Sequence, residues 1–279
     1  MDAFEVRVSN SQNLHLWIDQ LCIDQSNENE RGHQVKMMAN TYRNAQAVIS
    51  WLDRSCHQAV RDLVTQKKLN RDEMRAHIIT IFSDVYFTRL WVAQEFLLAR
   101  DIGFMSCYDI LDYDTLRCHA LTLPGDCLPV DCSNAIHLFA SRTSLRRTSS
   151  KMDWLKTRAS LAVVLNHYSR LRCADDRDQV YGLLGLVDSC HEVPEVDYQK
   201  TAEEVYLDTV RILLTKKQYQ ASVLILDCAQ MLAENMCLPH RHLYAIHNLF
   251  KDIIIRVKLG QPIIVHGVGF DSSKTPDEW

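Results

Sequence analysis

The sequence predicts an α/β fold: a small parallel sheet with flanking helices at the front, followed by a mostly helical second half. Three observations carry this expectation. Two short apolar runs, residues 14–18 and 47–52, each close on an acid, Asp19 and Asp53. Between them Val35, Met38, Tyr42 and Ala45 recur at three- and four-residue spacing, which makes one apolar helix face. From about residue 112 the pattern changes to a series of helical segments.

Taken in order, residues 14–18 are apolar and β-compatible apart from His15, and residues 24–29 form a polar loop rich in turn formers. Asn27, three residues before Glu30, has the form of a helix start, because its side chain can accept from a free backbone N–H. The second strand, 47–52, carries Val48, Ile49 and Trp51. A strand, a crossover of this length and a second strand in one sheet form a right-handed parallel unit. Residues 59–69 and 73–86 read as helices, and Thr88 as the cap of another running to Ala99 with Leu90, Ala93 and Leu97 inward. Residues 102–107 read as a third strand.

Helices are then expected over 113–121, 133–141, 152–171 and 176–187. Thr201 with Glu204 forms a capping box opening a helix to about residue 215. Residues 253–257 and 262–268 read as a β-hairpin. With 8 Gly and 6 Pro, no linker stands out. The expected organisation is an α/β core over 1–110 and a helical extension with a C-terminal β-hairpin over 111–279.

Composition narrows the function. A net charge of −4 gives no electrostatic reason to expect a nucleic-acid partner. No apolar span reaches the ~18 residues of a membrane helix, and Met1 to Glu5 lacks a signal-peptide layout. A cytoplasmic protein without a membrane partner is expected. The ten cysteines include no C-x-x-C pair and read as scattered reduced thiols. The densest grouping of metal-ligating residue types is Cys237, His240 and His242 with Cys228 nearby, against which ordinary loop contacts are the simpler reading, so no metal is expected. Residues 142–151, basic and Ser/Thr-rich, read as a solvated loop. No phosphate-binding loop, dinucleotide glycine fingerprint, H-E-x-x-H or G-x-S-x-G is present.

Ligands of open parallel sheets bind beyond the carboxyl ends of the strands. Asp19 and Asp53 should lie on that rim, with Asp24 in the adjoining loop and Glu30 at the start of the crossover helix. Trp91 and Glu95, four residues apart, are expected on one helix face. A carboxylate beside an aromatic ring in a cleft can have a raised pKa or bind a sugar hydroxyl. Each residue also has a structural reading. Asp19 and Asp24 fit turn or helix caps, and Glu30 fits a partner of the helix dipole. Trp17, Trp51 and Trp91 fit core aromatics, and Glu95 fits a buried acid paired with Arg89 or Arg100.

The order of these blocks resembles the fungal heterokaryon incompatibility (HET) domain family. The resemblance is carried by Trp17 to Gln25, Glu30-Arg31-x-x-Gln34-Val35-x-x-Met38, Tyr42-x-x-Ala45-x-x-Val48-x-x-Trp51-Leu52 and Arg89-x-Trp91-Val92-x-Gln94-Glu95. Asp176 to Leu186, Val196-Asp197-Tyr198 with Val205-Tyr206, and Ile264 to Gly267 with Asp271 are similar to later family elements. The family's usual opening strand, of the type Tyr-x-x-Leu-Ser-Tyr-x-Trp-Gly, has no counterpart before Trp17, so a member truncated at its N terminus is expected.

The resemblance implies a signalling module of nonself recognition and cell death that works through protein partners or self-association. A more distant similarity to TIR domains implies a TIR/flavodoxin-like core. It also implies NAD as a substrate, cleaved with Glu95 as the catalytic residue, the pocket being drawn from Asp19, Asp24, Glu30, Asp53 and Trp91. The signalling module, the NAD glycohydrolase and an inactive truncated paralogue are the three readings that stay open.

Overall fold

The computed structural model describes residues 15–123, 128–148, 159–168, 170–215 and 222–238. Its front part is organised around a long helix, α2 (Glu28–Asn44). The Asn27 side chain accepts from the backbone N–H groups of Asn29 and Glu30, each at 3.1 Å, and so satisfies donors that have no partner within the first turn. Val35, Met38, Ala39 and Tyr42 form its buried face, as their spacing predicts.

The first expected strand is not part of the sheet. Residues 15–18 join no ladder among the described residues and run directly into a short helix, α1 (Asp19–Cys22). Leu16 is 66% exposed and Leu21 78% exposed, so the run lacks the buried face that fixes strand register. Its anchor is Trp17, edge-on to Tyr42 with ring centroids 6.0 Å apart.

The parallel crossover lies one step later. Strand β1 (Val48–Trp51) pairs in parallel with β2 (Ile102–Ser106), Val48 opposite Ile102. The connection carries α3 (His57–Val64), α4 (Arg71–Phe82) and α5 (Val92–Leu98). The chain then turns through Cys107, at φ 56°, into β3 (Asp109–Asp112), which pairs antiparallel with β2. The α/β class holds, and β3 makes the sheet mixed, in the order β1-β2-β3. Trp51, read as a core aromatic, is 49% exposed because β1 alternates faces and Ser50 takes the inward position beside it.

Thr88 does not cap α5. Its hydroxyl donates to the Val85 carbonyl within a tight turn, Val85–Thr88. The backbone beyond is held by a crossing segment: Arg172 N–H donates to the Thr88 carbonyl and Leu90 N–H to the Arg172 carbonyl, both at 2.7 Å. The helix therefore starts at Val92.

The second half is helical, with α6 (Tyr113–Leu121), α7 (Ser133–Thr148), α8 (Leu161–Tyr168), α9 (Asp178–Tyr181), α10 (Ala202–Thr215) and α11 (Ser222–Asn235). The capping box before α10 is present: Thr201 N–H donates to Glu204 Oε2 at 2.8 Å, and Glu204 N–H to Thr201 Oγ1 at 3.2 Å. The expected helix over 176–187 is instead α9 followed by a separate turn, Leu184–Leu186. Gly182 between them packs so closely that a Cβ there would lie 2.8 Å from Leu90 and 2.9 Å from the Asp178 carbonyl. Residues 152–158 and the expected hairpin at 253–268 lie outside the described residues.

One expectation for 142–151 is overturned. Arg142 is 1% exposed inside α7, where its guanidinium donates to the carbonyls of Phe96 and Arg100 beyond the last turns of α5. It acts there as a cation at a helix C-terminus, where unpaired carbonyls gather. One turn earlier, Phe139 stacks on Phe104 and Tyr113, at 6.0 and 5.1 Å between centroids, which seats α7 against the sheet.

Candidate functional site

Glu95 lies in the first turn of α5, half-buried between the helix, the turn before it and the end of α2. Burial raises its carboxyl pKa, Arg89 opposes the rise, Asp19 adds to it, and the Tyr86 hydroxyl lowers it by hydrogen bonding. Tyr42 shares this environment: burial, then the charges of Glu95 and Asp19, push its hydroxyl pKa far up. Trp17 covers the Tyr42 ring from outside. One corner of the molecule thus gathers two acids, one cation and two phenols from α1, α2 and the approach to α5.

The support beneath this corner comes from β1. Ser50, buried at the centre of the strand, donates to the Tyr86 hydroxyl at 2.7 Å. Asp84 fixes the turn that carries Tyr86: its Oδ1 accepts from Tyr86 N–H at 2.8 Å, and its Oδ2 from Asp53 N–H at 2.8 Å. The Cys56 thiol also donates to Asp84 Oδ2, at 3.3 Å, and burial first, then the Asp84 charge, push the thiol up to about 12. That value makes Cys56 a poor nucleophile.

The proposed pocket residues separate. Asp19 comes to Glu95, with its own Oδ1 2.8 Å from the Gln20 N–H. The Asp53 carboxylate turns away and caps the following turn by accepting from Ser55 N–H at 2.8 Å, which holds its pKa down. Asp53 meets the network below Glu95 through its backbone alone. Asp24 closes a local turn, accepting from the N–H and hydroxyl of Ser26 at 3.0 and 2.6 Å. Glu30 reaches back to accept from Asp24 N–H at 3.2 Å. These three acids act on neighbouring backbone, as short polar side chains at helix and turn starts commonly do.

Trp91 joins a second cluster. Its indole is a hydrogen-bonding neighbour of the buried Asp178. The Tyr198 hydroxyl donates to Asp178 Oδ1. Arg31 lies over the Tyr198 ring, 3.7 Å from its centroid, and pairs with Asp175 at 2.9 Å. Arg177 grips the same Asp175 and donates to the Tyr198 and Lys200 carbonyls. Burial pushes Asp178 up to about 6; Asp175 adds to that rise, while Tyr198, Arg31 and Trp91 pull against it. Sequence reasoning missed Asp178 and Tyr198 as site candidates, although both lie in blocks that resemble later family elements. Tyr42 stood out as core and Tyr86 not at all, because nothing local marks a phenol whose partner lies on another element.

Chemically, a half-buried carboxyl with a raised pKa takes up a proton more readily than a solvated one or, ionised, can stabilise a positive charge. A separate open groove of about 640 Å³ runs between α2 and residues 181–196, and Glu95, Asp19 and Asp53 do not line it. Among the described residues no group of three or more His, Cys, Asp or Glu is placed to hold a metal ion. Cys237 is exposed, and His240 and His242 lie outside the described residues. No described helix is long and apolar enough to cross a membrane.

A three-stranded mixed sheet edged by helices, followed by a mostly helical remainder, defines a mixed α/β domain. The family match makes this specific. Residues 2–95 match the model of the heterokaryon incompatibility protein (HET) family, so the front third of the chain is similar to that family. A similar curated protein is "Heterokaryon incompatibility protein 6, OR allele" of Neurospora crassa, 25% identical over 266 residues. The alignment covers 73% of this chain and 39% of that relative, so the chain spans about two fifths of the relative's length. No solved structure matches.

Proposed function

We propose that this chain acts in fungal vegetative incompatibility as a HET-type signalling module. In this reading it works in the cytoplasm through protein partners or further copies of itself, and its output is cell death. The family match over residues 2–95 is the observation that carries the reading, supported by the name of the Neurospora relative. Induced expression of the chain in a filamentous fungus tests it. Growth arrest and loss of viability are expected, and they should persist in E95Q. Unchanged growth at full expression of the soluble chain would sink the proposal.

A second reading, NAD cleavage, is favoured by one observation: the raised pKa of Glu95 in a half-buried site beside Asp19 and two phenols. An ionised Glu95 would stabilise the oxocarbenium-like charge that develops as the glycosidic bond to nicotinamide breaks. The same expression experiment separates the readings. NAD depletion that disappears together with cell death in E95Q supports hydrolysis; death without NAD loss supports the module.

A further inference from the structure

Three rings join α7 to α8. His137 of α7 lies 5.5 Å between centroids from His167 and 5.5 Å from Tyr168, both of α8. The Tyr168 hydroxyl is hydrogen-bonded to Ser141, one turn on from His137. This surrounding suits a neutral His137 and not a charged one. Its Nε2 is buried and has no hydrogen-bond partner. An imidazolium carries two N–H donors, and here one of them would be left without an acceptor. The neighbouring ring can add only a like charge. His167 is exposed, and its Nδ1–H donates to the Val163 carbonyl at 2.8 Å, which leaves Nε2 as the nitrogen that gains a proton. Burial first, and then His167, lower the His137 pKa, and no carboxylate among the described residues offsets them.

We propose that these rings form an acid-sensitive latch: neutral His137 keeps α8 seated on α7, and protonation of the histidine pair unseats it. Leu161 and Val164 share the α8 face of Tyr168, two turns and one turn earlier, and are 0% and 1% exposed. Unseating brings this apolar stripe towards the surface, so acid creates a contact face that is hidden at neutral pH. The sign follows from proton uptake. The folded state protonates His137 later than the unfolded state does. Stability is therefore lost as pH falls from the unfolded value, 6.5, through the folded one. This goes beyond the HET signalling reading and does not depend on Glu95.

Hydrogen exchange of α8 in the purified full-length chain tests it, read as protection factors between about pH 7.5 and pH 5. Protection of the α8 amides should fall by up to about tenfold per pH unit, the limit for uptake of one proton, while that of α2 falls less. H137F keeps a ring at the seam that takes up no proton, and its α8 protection should show no such fall. H167Q removes the second charge and should move the fall to lower pH. A level profile in the parent, or an equal fall in H137F, overturns the latch. Should H137F fail to fold, NMR titration of the histidine rings in the parent decides. A His137 pKa below the ordinary 6.5 supports the latch, and one at or above it overturns the latch.

Discussion

Trp91 and Glu95 stand one turn apart, yet they serve different partners. Trp91 faces the Asp178 carboxylate held by Tyr198, whereas Glu95 faces Tyr86, Arg89 and Asp19. The residue before Glu95 explains how one short helix does both. Gln94 is buried and donates from Nε2 to the Gly182 carbonyl at 2.8 Å, tying α5 to the end of α9. The opposite side of the helix is left to the Tyr86 corner. The helix is therefore a joint between the front of the chain and the 175–198 block.

A double-mutant cycle on stability should register this division. W91F removes the indole N–H and should cost about 1 kcal/mol, the usual net value of one hydrogen bond. E95Q removes a charge whose pKa is raised by burial, and it should leave the protein at least as stable as the parent at pH 7. The coupling between W91F and E95Q should stay below ~0.5 kcal/mol, while W91F and D178N should couple more strongly. Urea unfolding of the four variants in each cycle measures it. A larger coupling for the Trp91–Glu95 pair than for Trp91–Asp178 would overturn the assignment.

How much of this was readable beforehand depends on the range of the interaction. The Asn27 start, the Val35–Met38–Tyr42 face, the 47–52 and 102–107 strands and the Thr201–Glu204 box all rest on residues within a turn or two of one another. Periodicity and capping chemistry report such contacts directly. The 14–18 run misled because apolar content alone does not reveal which side chains find a core, and Leu16 finds none. Thr88 misled because its backbone is taken by Arg172, far along the chain. The same limit applies to the site. Asp24 caps a local turn, a role its position foretold, while Glu30 and Asp53, read as a helix-dipole partner and a rim acid, also bond to nearby backbone. The partners that set the Glu95 environment come from three elements, and no local pattern encodes that meeting.

Asp178 gives the fold a distinct pH signature. Its folded pKa of about 6 lies above the ordinary Asp value near 3.9. An acid shifted upward adds stability that is complete below the unfolded pKa and is lost as pH rises through the folded one. Between about pH 4 and pH 6 the folded state therefore holds more protons than the unfolded state, and stability falls across that window. Asn resembles the protonated carboxyl and can still accept from the Tyr198 hydroxyl. D178N should match the parent near pH 4 and exceed it by about 2 kcal/mol at pH 7.5. Taking the difference between the two proteins at each pH cancels the titration of other groups. A constant difference from pH 4 to 7.5 would show that Asp178 is ionised throughout.

Arg142 is the sharpest test of how the helical half is fastened to the front. Its Nη1 and Nη2 donate at 2.5 and 3.1 Å to the carbonyls of Phe96 and Arg100, and its guanidinium lies 5.0 Å from the Tyr113 ring centroid. R142A would leave both carbonyls without this donor and open a cavity beside Phe96 and Tyr113, at a cost of about 3 kcal/mol or more. R142M should recover part of the packing but neither hydrogen bond. R142K should keep a charge without the fork that reaches two carbonyls at once. The expected order of urea midpoints is parent, then R142K and R142M, then R142A. The amide N–H groups of α5 should lose exchange protection first, because α5 is the helix whose end Arg142 closes. An R142A protein within 1 kcal/mol of the parent would mean that this arginine is solvated, as its basic surroundings in the sequence first indicated, and that α7 is held by its aromatic contacts alone.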